Sequence, residues 1–193
     1  MRATHLLYLH GFRSSPASAK ALRMAAWVAE HRPELKFACP QLPPSPREAM
    51  ALAAELTGHW PAESMAVMGS SLGGFYATAV AQARGCRAVL LNPAVDPARD
   101  LAAYIGEQTC WQNPDERFFF RPEFVAELRA LAVGELAHPE RLMAVIAKGD
   151  EVLDWREMHA RYSDCRIKLL EGSDHGLADF DDYLHELTEF LQL

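Results

Sequence analysis

The chain has 193 residues, of which half are hydrophobic and 23% are charged, and its formal net charge is -7 at pH 7. This length fits one domain with a sizeable core, spanning residues 1–193. The negative charge disfavours nucleic acids and anionic membrane surfaces as partners, because both attract basic proteins.

The start of the chain predicts neither a signal peptide nor a membrane span. Only a few apolar residues precede His10, which is too short a run for either. The four cysteines lie far apart and form no C-x-x-C pair, a pattern typical of reduced thiols rather than of disulfides or a zinc site. We therefore expect a cytoplasmic protein with no membrane insertion and no metal.

The first part of the chain alternates between predicted strands and helices. Residues 6–9 form an apolar run that predicts a strand. Ser15 and Pro16 follow as a predicted N-cap and first helical residue. Residues 35–39 predict a second strand, and residues 45–58 a capping box with its helix. The predicted buried face of the first helix is Leu22, Ala25, Ala26 and Ala29.

A strand, a sharp turn and a helix are predicted around Ser71. Residues 65–68 are an apolar run, and apolar residues recur at helical spacing from Leu72 onward. The turn between them fits G-x-S-x-G, the nucleophile elbow, with its glycines at Gly69 and Gly73. In that motif a strained serine brings strand and helix so close that the flanking positions hold no side chain. A lone match also occurs in ordinary turns, but the flanking strand and helix favour the elbow.

Three further strands are predicted at residues 88–91, 142–147 and 167–170. Asn92, at the end of the first of these and before a proline, is interpreted as a turn former. The last helix is predicted to bury Phe180, Tyr183, Leu184, Leu187, Phe190 and Leu191. Uniformly apolar strands that alternate with helices indicate a mostly parallel sheet of about six strands, covered on both faces in a three-layer α/β/α sandwich.

Four chemically active positions each follow a predicted strand: His10, Ser71, Asp150 and His175. Because ligands of parallel sheets bind beyond the carboxyl ends of the strands, these positions should meet at one edge. A serine nucleophile needs a base, and the base needs a carboxylate to orient it. His175, in a glycine-rich turn, is the predicted base, and His10 is its competitor.

Three acidic residues compete to be that carboxylate. Asp150 follows its strand directly, whereas Asp154 is explained as the N-cap of the next helix. Glu151 is the remaining alternative. With Asp150, the chain order of the three groups is Ser, Asp, His, as in α/β-hydrolases.

Five segments resemble those of the YqiA-like small bacterial esterases: residues 7–15, 69–74, 91–95, 149–154 and 172–175. The resemblance spans nearly the whole chain. It implies a short α/β-hydrolase fold that lacks the first strands of larger members, and hydrolysis of acyl esters or thioesters.

The same resemblance assigns roles to individual residues. It implies that Ser71 is the nucleophile, Asp150 the acid and His175 the base. The backbone N–H groups of Phe12 and Leu72 would form the oxyanion hole. The match is loose around residues 110–114 and 118–120, which leaves the acyl preference undetermined.

Residues 96–138 form the longest segment without a clear strand, and we interpret them as an insertion that resembles a cap. A helix is expected at about residues 121–131. The large apolar side chains of the segment are Tyr104, Ile105, Trp111, Phe118, Phe119, Phe120 and Phe124. They either dock the insertion onto the core or line an acyl pocket. In the second case the substrate would contact Trp111, Phe119 and Phe120, and also His10 from the first loop.

The sequence as a whole predicts an enzyme that cleaves small carboxylic esters or thioesters through an acyl-serine intermediate, without a cofactor. An acyl-CoA thioesterase is a narrower alternative. A binding protein of the same fold that has lost catalysis is another, because fold does not determine function. A metal-dependent hydrolase is disfavoured, since His185 and Glu186 only resemble H-E-x-x-H and the second histidine is missing. No oligomeric state is predicted.

Overall fold

A computed structural model describes residues 2–193 and contains a six-stranded sheet with helices on both faces. The strands are β1 (His5–Leu9), β2 (Lys36–Ala38), β3 (Met65–Ser70), β4 (Arg87–Leu91), β5 (Gly106–Thr109), β6 (Arg117–Phe120), β7 (Leu142–Ala147) and β8 (Arg166–Leu170). The helices are α1 (Ala19–His31), α2 (Pro46–Thr57), α3 (Leu72–Arg84), α4 (Pro97–Asp100), α5 (Pro122–Leu131), α6 (Trp155–Arg161) and α7 (Leu184–Phe190). Within the described residues, no helix is both long and apolar enough to cross a membrane.

All neighbouring strands of the six-stranded sheet run parallel, in the order β2-β1-β3-β4-β7-β8. The central strands are apolar along their whole length because helices cover both of their faces. The predicted parallel sheet of about six strands is therefore confirmed.

The side chains of each strand alternate between two hydrophobic clusters, one on each face of the sheet. In β1, Leu7 and Leu9 point to the cluster that contains residues of α2, α3, α5 and α6. Leu6 and Tyr8 point to the other cluster, with residues of α1 and α7. The helices thus divide into two layers around the sheet, which completes the three-layer sandwich.

The direction of winding reverses between β1 and β3. The chain places β2 on one side of β1 and then adds β3, β4, β7 and β8 on the other side. In open α/β sheets the crevice for ligands forms at this reversal, beyond the carboxyl ends of the strands. The loops after β1 and β3, which carry His10 and Ser71, therefore lie at the expected ligand position.

The predicted start and buried face of α1 are wrong. Ser15 does not cap the helix, because its hydroxyl accepts a hydrogen bond from Ala17 N in a turn that precedes α1. The packed face consists of Ala21, Met24 and Val28 instead of the predicted residues, and Leu22 is 56% exposed. Because this helix contains many alanines, its hydrophobic pattern does not clearly distinguish the buried face from the adjacent one.

The insertion contains a strand pair that the sequence analysis missed. Strands β5 and β6 form an antiparallel hairpin, and only α5 lies where a helix was expected. In β6, Phe120 is buried at 1% exposure while Phe119 is 58% exposed. This alternation has the two-residue period of a strand with one covered face.

The corrected face of α1 can be tested by truncation. Met24→Ala should lower the free energy of unfolding by about 2–5 kcal/mol, because it removes a fully buried side chain. Leu22→Ala, on the exposed side of the same helix, should change it by no more than about 0.5 kcal/mol. Urea unfolding of both variants measures the difference, and an equal loss at the two positions would contradict this packing.

Candidate active site

The turn at Ser71 has a strained backbone, with φ 56° and ψ -121°. It joins the end of β3 directly to the start of α3. A Cβ atom at Gly69 would collide with the carbonyl of Gly73, and one at Gly73 would collide with the carbonyl of Leu9 in β1. The close crossing of helix and strands therefore excludes side chains at both glycines, which is the physical reason for the G-x-S-x-G spacing.

His175 and Asp150 are in direct contact. The Nδ1 atom of His175 lies 2.8 Å from Oδ2 of Asp150, whose side chain is fully buried. The other oxygen, Oδ1, accepts from the backbone N–H groups of Val152 and Leu153, each at 2.8 Å. With Nδ1 donating to the carboxylate, Nε2 of His175 is free to accept a proton.

The two other acidic candidates make different contacts. Oδ1 of Asp154 accepts from Arg156 N at 2.9 Å, as the N-cap of α6, and its side chain is half exposed. Glu151 accepts from the backbone N–H of His175 at 3.0 Å, so it holds the loop and does not contact the ring. Of the three acids, Asp150 alone bonds to the imidazole.

Both ring nitrogens of His10 are occupied. Nδ1 donates to Gly11 O at 3.0 Å, and Nε2 accepts from Leu42 N at 3.0 Å. Burial lowers the pKa of His10, although the bond to Gly11 opposes this, and a neutral ring fits the bond that Nε2 accepts. His10 therefore joins the first loop to the loop after β2 and has no nitrogen left to serve as a base.

Ser71 and His175 line the same cavity of about 690 Å³, which we call the Ser71 cavity. No hydrogen bond joins the two side chains in the part of the chain that the structure describes. Its other walls come from the first loop, the start of α3, the loops after β4 and β7, and the insertion: Phe12, Arg13, Leu72, Ala94, Pro97, Asp100, Leu101, Ala103, Tyr104, Trp111, Glu151, Val152 and Leu153. The lining is mostly apolar, with Ser71 and His175 as its reactive groups.

Two backbone N–H groups next to Ser71 make no hydrogen bond within residues 2–193. One belongs to Leu72, the first residue of α3, where a helix leaves its N–H groups without an intrahelical partner. The other belongs to Phe12 in the first loop. This loop abuts the serine, since a Cβ atom at Gly11 would lie 3.2 Å from Cβ of Ser71. Both N–H groups are available to an oxyanion.

The four predicted pocket residues are scattered. Trp111 lines the Ser71 cavity, as does Tyr104, which the sequence analysis did not select for the pocket. Phe120 is a core residue, because its ring packs edge-to-face on Phe12 and Phe124. Phe119 lies on the outer side of the hairpin, beside a separate groove. The prediction for Phe119 and Phe120 is thus corrected, and His10 lines a different cavity.

Asn92 has a structural role that the sequence analysis missed. Its side chain is fully buried and its φ is 41°. Its amide nitrogen donates to Asp174 O at 3.0 Å and to His175 O at 3.3 Å, and its amide oxygen accepts from Ala147 N at 2.8 Å. One side chain therefore joins the end of β7, which leads to Asp150, to the loop of His175. The sequence did contain a signal for this role, since Asn92 is a polar residue that directly follows a fully apolar strand.

A parallel sheet between helix layers, with a strained serine after its third strand, defines the α/β-hydrolase fold. Structural neighbours share this fold. The chain belongs to the uncharacterised protein family UPF0227, whose family model matches residues 5–192.

Three solved structures illustrate the similarity. A candidate hydrolase from Agrobacterium vitis S4 aligns with a TM-score of 0.75 at 19% identity, over 99% of this chain and 91% of that chain. Est1E from Butyrivibrio proteoclasticus aligns at 0.68 and 14% identity, over 98% and 87%. The Pyrococcus furiosus esterase Pf2001 aligns at 0.65 and 16% identity, over 99% and 81%. At these identities the similarity establishes the fold alone.

Removing the Asn92 amide should loosen the junction that it holds. Asn92→Gly places at this position a residue that tolerates φ 41°, so the substitution adds no backbone strain. Any loss of stability then measures the loss of the amide, because its buried backbone partners are left unpaired. We expect the free energy of unfolding to fall by about 1–3 kcal/mol or more. Asn92→Ala should be less stable still, because it adds backbone strain. Denaturant unfolding decides, and a glycine variant as stable as the native chain would exclude this role.

Proposed function

We propose that the protein is a serine hydrolase that cleaves small carboxylic esters or thioesters through an acyl-serine intermediate. The contact between His175 Nδ1 and the buried carboxylate of Asp150 carries this proposal. It orients an imidazole in the cavity that also contains Ser71. A base fixed in this way is what a serine hydroxyl needs to become a nucleophile.

In the first step, Ser71 Oγ attacks the carbonyl carbon of the substrate while its proton passes to Nε2 of His175. Asp150 then stabilises the imidazolium through the 2.8 Å bond to Nδ1. Two backbone N–H bonds to Oδ1 and the ring contact to Oδ2 hold this carboxylate in place. The protonated His175 next donates to the leaving oxygen or sulfur, which departs and leaves the acyl group on Ser71.

Negative charge develops on the carbonyl oxygen during the attack. The free N–H groups of Phe12 and Leu72 are suited to stabilise it, because they are fixed in the structure before the reaction begins. In the second half of the reaction, His175 activates a water molecule that attacks the acyl-serine. The same N–H groups then stabilise the second tetrahedral intermediate, and Ser71 is released.

The chemistry requires Ser71 and His175 to come within hydrogen-bond reach. Such bonds are commonly long before substrate binds and tighten in the complex. Both side chains border the same cavity, and the Ser71 hydroxyl is the group that can rotate, since Asp150 holds the His175 ring.

The resemblance to YqiA-like esterases implies the same activity, and the structural neighbour Pf2001 is an esterase. We also propose residues 1–193 as one catalytic domain with a cytoplasmic location. The protein then differs from a binding protein of the same fold by a measurable property, covalent turnover at Ser71.

Replacing the nucleophile tests the proposal directly. Ser71→Ala should lower kcat for p-nitrophenyl acetate by at least about 10³-fold while thermal unfolding stays close to that of the native protein. Ser70→Ala is the matched control, since Ser70 ends β3 and lies outside the Ser71 cavity. It should retain most of the activity.

Labelling by a fluorophosphonate probe gives a second measurement that does not depend on the choice of ester. The native chain should be labelled once and Ser71→Ala not at all. Equal labelling of the two proteins, or equal loss of activity at both serines, would contradict the assignment of Ser71.

The acid can be identified by two substitutions of equal size. Asp150→Asn should lower kcat by about 10³–10⁴-fold, because the amide no longer holds the imidazole in the required tautomer. Asp154→Asn should leave turnover close to native and change stability by about 1 kcal/mol at most, since Asp154 only caps α6. Steady-state kinetics on both variants decide, and a larger loss at Asp154 would move the acid there.

A further inference from the structure

A second cavity lies against the same first loop as the Ser71 cavity. Its volume is about 400 Å³, within the range of small-molecule pockets. We call it the Tyr76 cavity. Its walls are His10, Gly11, Phe12, Arg13, Ser14, Gln41, Leu42, Pro43, Pro44, Leu72, Tyr76, Cys110, Glu116 and Phe118. Phe12, Arg13 and Leu72 line both cavities, so the two proposed oxyanion donors stand where the cavities meet.

Tyr76 brings an unpaired hydroxyl to this cavity. The residue lies in α3, one helical turn after Leu72, and is only 3% exposed. Its hydroxyl makes no hydrogen bond among the described residues, whereas the buried hydroxyl of Tyr162 bonds to Thr78 at 2.9 Å. Unlike the fully buried and unpaired hydroxyl of Tyr8, the Tyr76 hydroxyl keeps some accessible surface, and the residue lines the Tyr76 cavity.

Burial also keeps this hydroxyl protonated, because it raises the pKa of Tyr76 and the nearby carboxylate of Glu127 acts in the same direction. The Tyr76 hydroxyl is therefore protonated at neutral pH and can donate a hydrogen bond. A ligand oxygen in the cavity would complete its hydrogen bonding.

The remaining walls restrict what else the ligand can carry. Leu42, Pro43 and Phe118 are apolar. Arg13 is held by Thr109, with Nε donating to its carbonyl at 2.8 Å and Nη2 to its hydroxyl at 2.9 Å. Gln41 and Glu116 add polar walls, so the cavity suits a largely apolar group that carries an oxygen placed to accept from Tyr76.

The position of His175 decides which half of the substrate enters this cavity. His175 lines the Ser71 cavity and not the Tyr76 cavity. Because His175 must give its proton to the leaving group, the leaving group lies on the Ser71 cavity side. The acyl substituent then extends in the other direction, past the N–H groups of Phe12 and Leu72.

We propose that the Tyr76 cavity is the acyl chamber of the enzyme and selects acyl groups that carry a hydroxyl or carbonyl oxygen, bound by the Tyr76 hydroxyl. This inference rests on the proposed function, since it assigns the acyl half of the ester that Ser71 attacks. It assigns the larger Ser71 cavity, with Tyr104 and Trp111, to the alcohol or thiol half.

Paired substrates measure the selection. We compare kcat/KM for the p-nitrophenyl esters of phenylacetic and 4-hydroxyphenylacetic acids, and of butyric and 3-hydroxybutyric acids. The native enzyme should prefer the hydroxylated member of at least one pair by about 5- to 10-fold, which is the contribution of one hydrogen bond. Tyr76→Phe should reduce that ratio to about 1. Tyr162→Phe removes a buried hydroxyl outside both cavities and should keep the native ratio.

Substitutions that fill one cavity at a time show where the acyl group binds, and this test does not depend on the Tyr76 hydroxyl. Leu42→Phe narrows the Tyr76 cavity and should lower kcat/KM for the phenylacetyl ester, relative to the acetyl ester, by at least about 10-fold. Ala103→Phe narrows the Ser71 cavity and should leave that ratio close to native, while lowering the rate for naphthyl relative to methyl esters. Thermal unfolding of each variant confirms that it is folded.

The outcomes separate this inference from the proposed function. Suppose that the acetyl ester is hydrolysed in a Ser71-dependent manner. If Tyr76→Phe then keeps the preference for the hydroxylated substrate, or if no substrate pair shows such a preference, the Tyr76 hydroxyl does not select the acyl group. If Ala103→Phe and not Leu42→Phe limits the size of the acyl group, the assignment of the Tyr76 cavity as the acyl chamber is wrong. Hydrolysis that survives Ser71→Ala, or no hydrolysis of any ester, would overturn the proposed function and this inference with it.

Discussion

The contact of α3 with β1 and β3 at Gly69 and Gly73 is the constraint on which the site depends. It brings helix backbone against the carbonyl of Leu9, where no Cβ atom fits. The chain can pass from strand to helix at this distance only through a residue with positive φ, and Ser71 occupies that position. The same contact fixes the start of α3, whose first N–H, that of Leu72, makes no hydrogen bond within residues 2–193. The proposed nucleophile and the proposed oxyanion donor thus depend on one packing contact.

Backbone strain is concentrated at the same edge of the sheet. Arg13, Ser71, Asn92 and Ser173 all have positive φ without being glycine, and they follow β1, β3, β4 and β8 respectively. Such conformations cost of order 1–3 kcal/mol each and persist where the surrounding contacts determine them. Asn92 shows how they are held, because its amide bonds to the β7 end and to the loop that follows Ser173.

The sheet could be predicted from the sequence because its strands are buried on both faces. A run such as residues 142–147 is apolar at every position, and the structure confirms its ends without a shift. The turns were predictable where steric requirements leave few alternatives, as at Gly69 and Gly73. The start of α1 was not, since Ser15 and Pro16 favour a local turn as well as a helix start.

The insertion was the least predictable part, because its structure depends on contacts that are distant in sequence. The phenylalanines of β6 look like a single apolar run, and only the pairing with β5 decides that Phe119 faces outward. The Tyr76 cavity was missed for a related reason. The helical spacing of Tyr76 indicates a core residue, and its burial agrees, but no sequence pattern shows that its hydroxyl has no partner.

Several contacts join the hairpin β5–β6 to the first loop. Phe12 packs edge-to-face on Phe118 and Phe120, with ring centroids 5.9 and 5.2 Å apart, and Trp111 N donates to Arg13 O at 2.7 Å. The guanidinium of Arg13 also lies 4.0 Å from the centre of the Trp111 ring. Since Phe12 borders both cavities and carries a proposed oxyanion donor, these contacts set the shape of the substrate site and the position of that N–H together. Under the proposed function, specificity and rate therefore share a structural determinant in the insertion, although no residue of the hairpin takes part in the proposed bond-breaking steps.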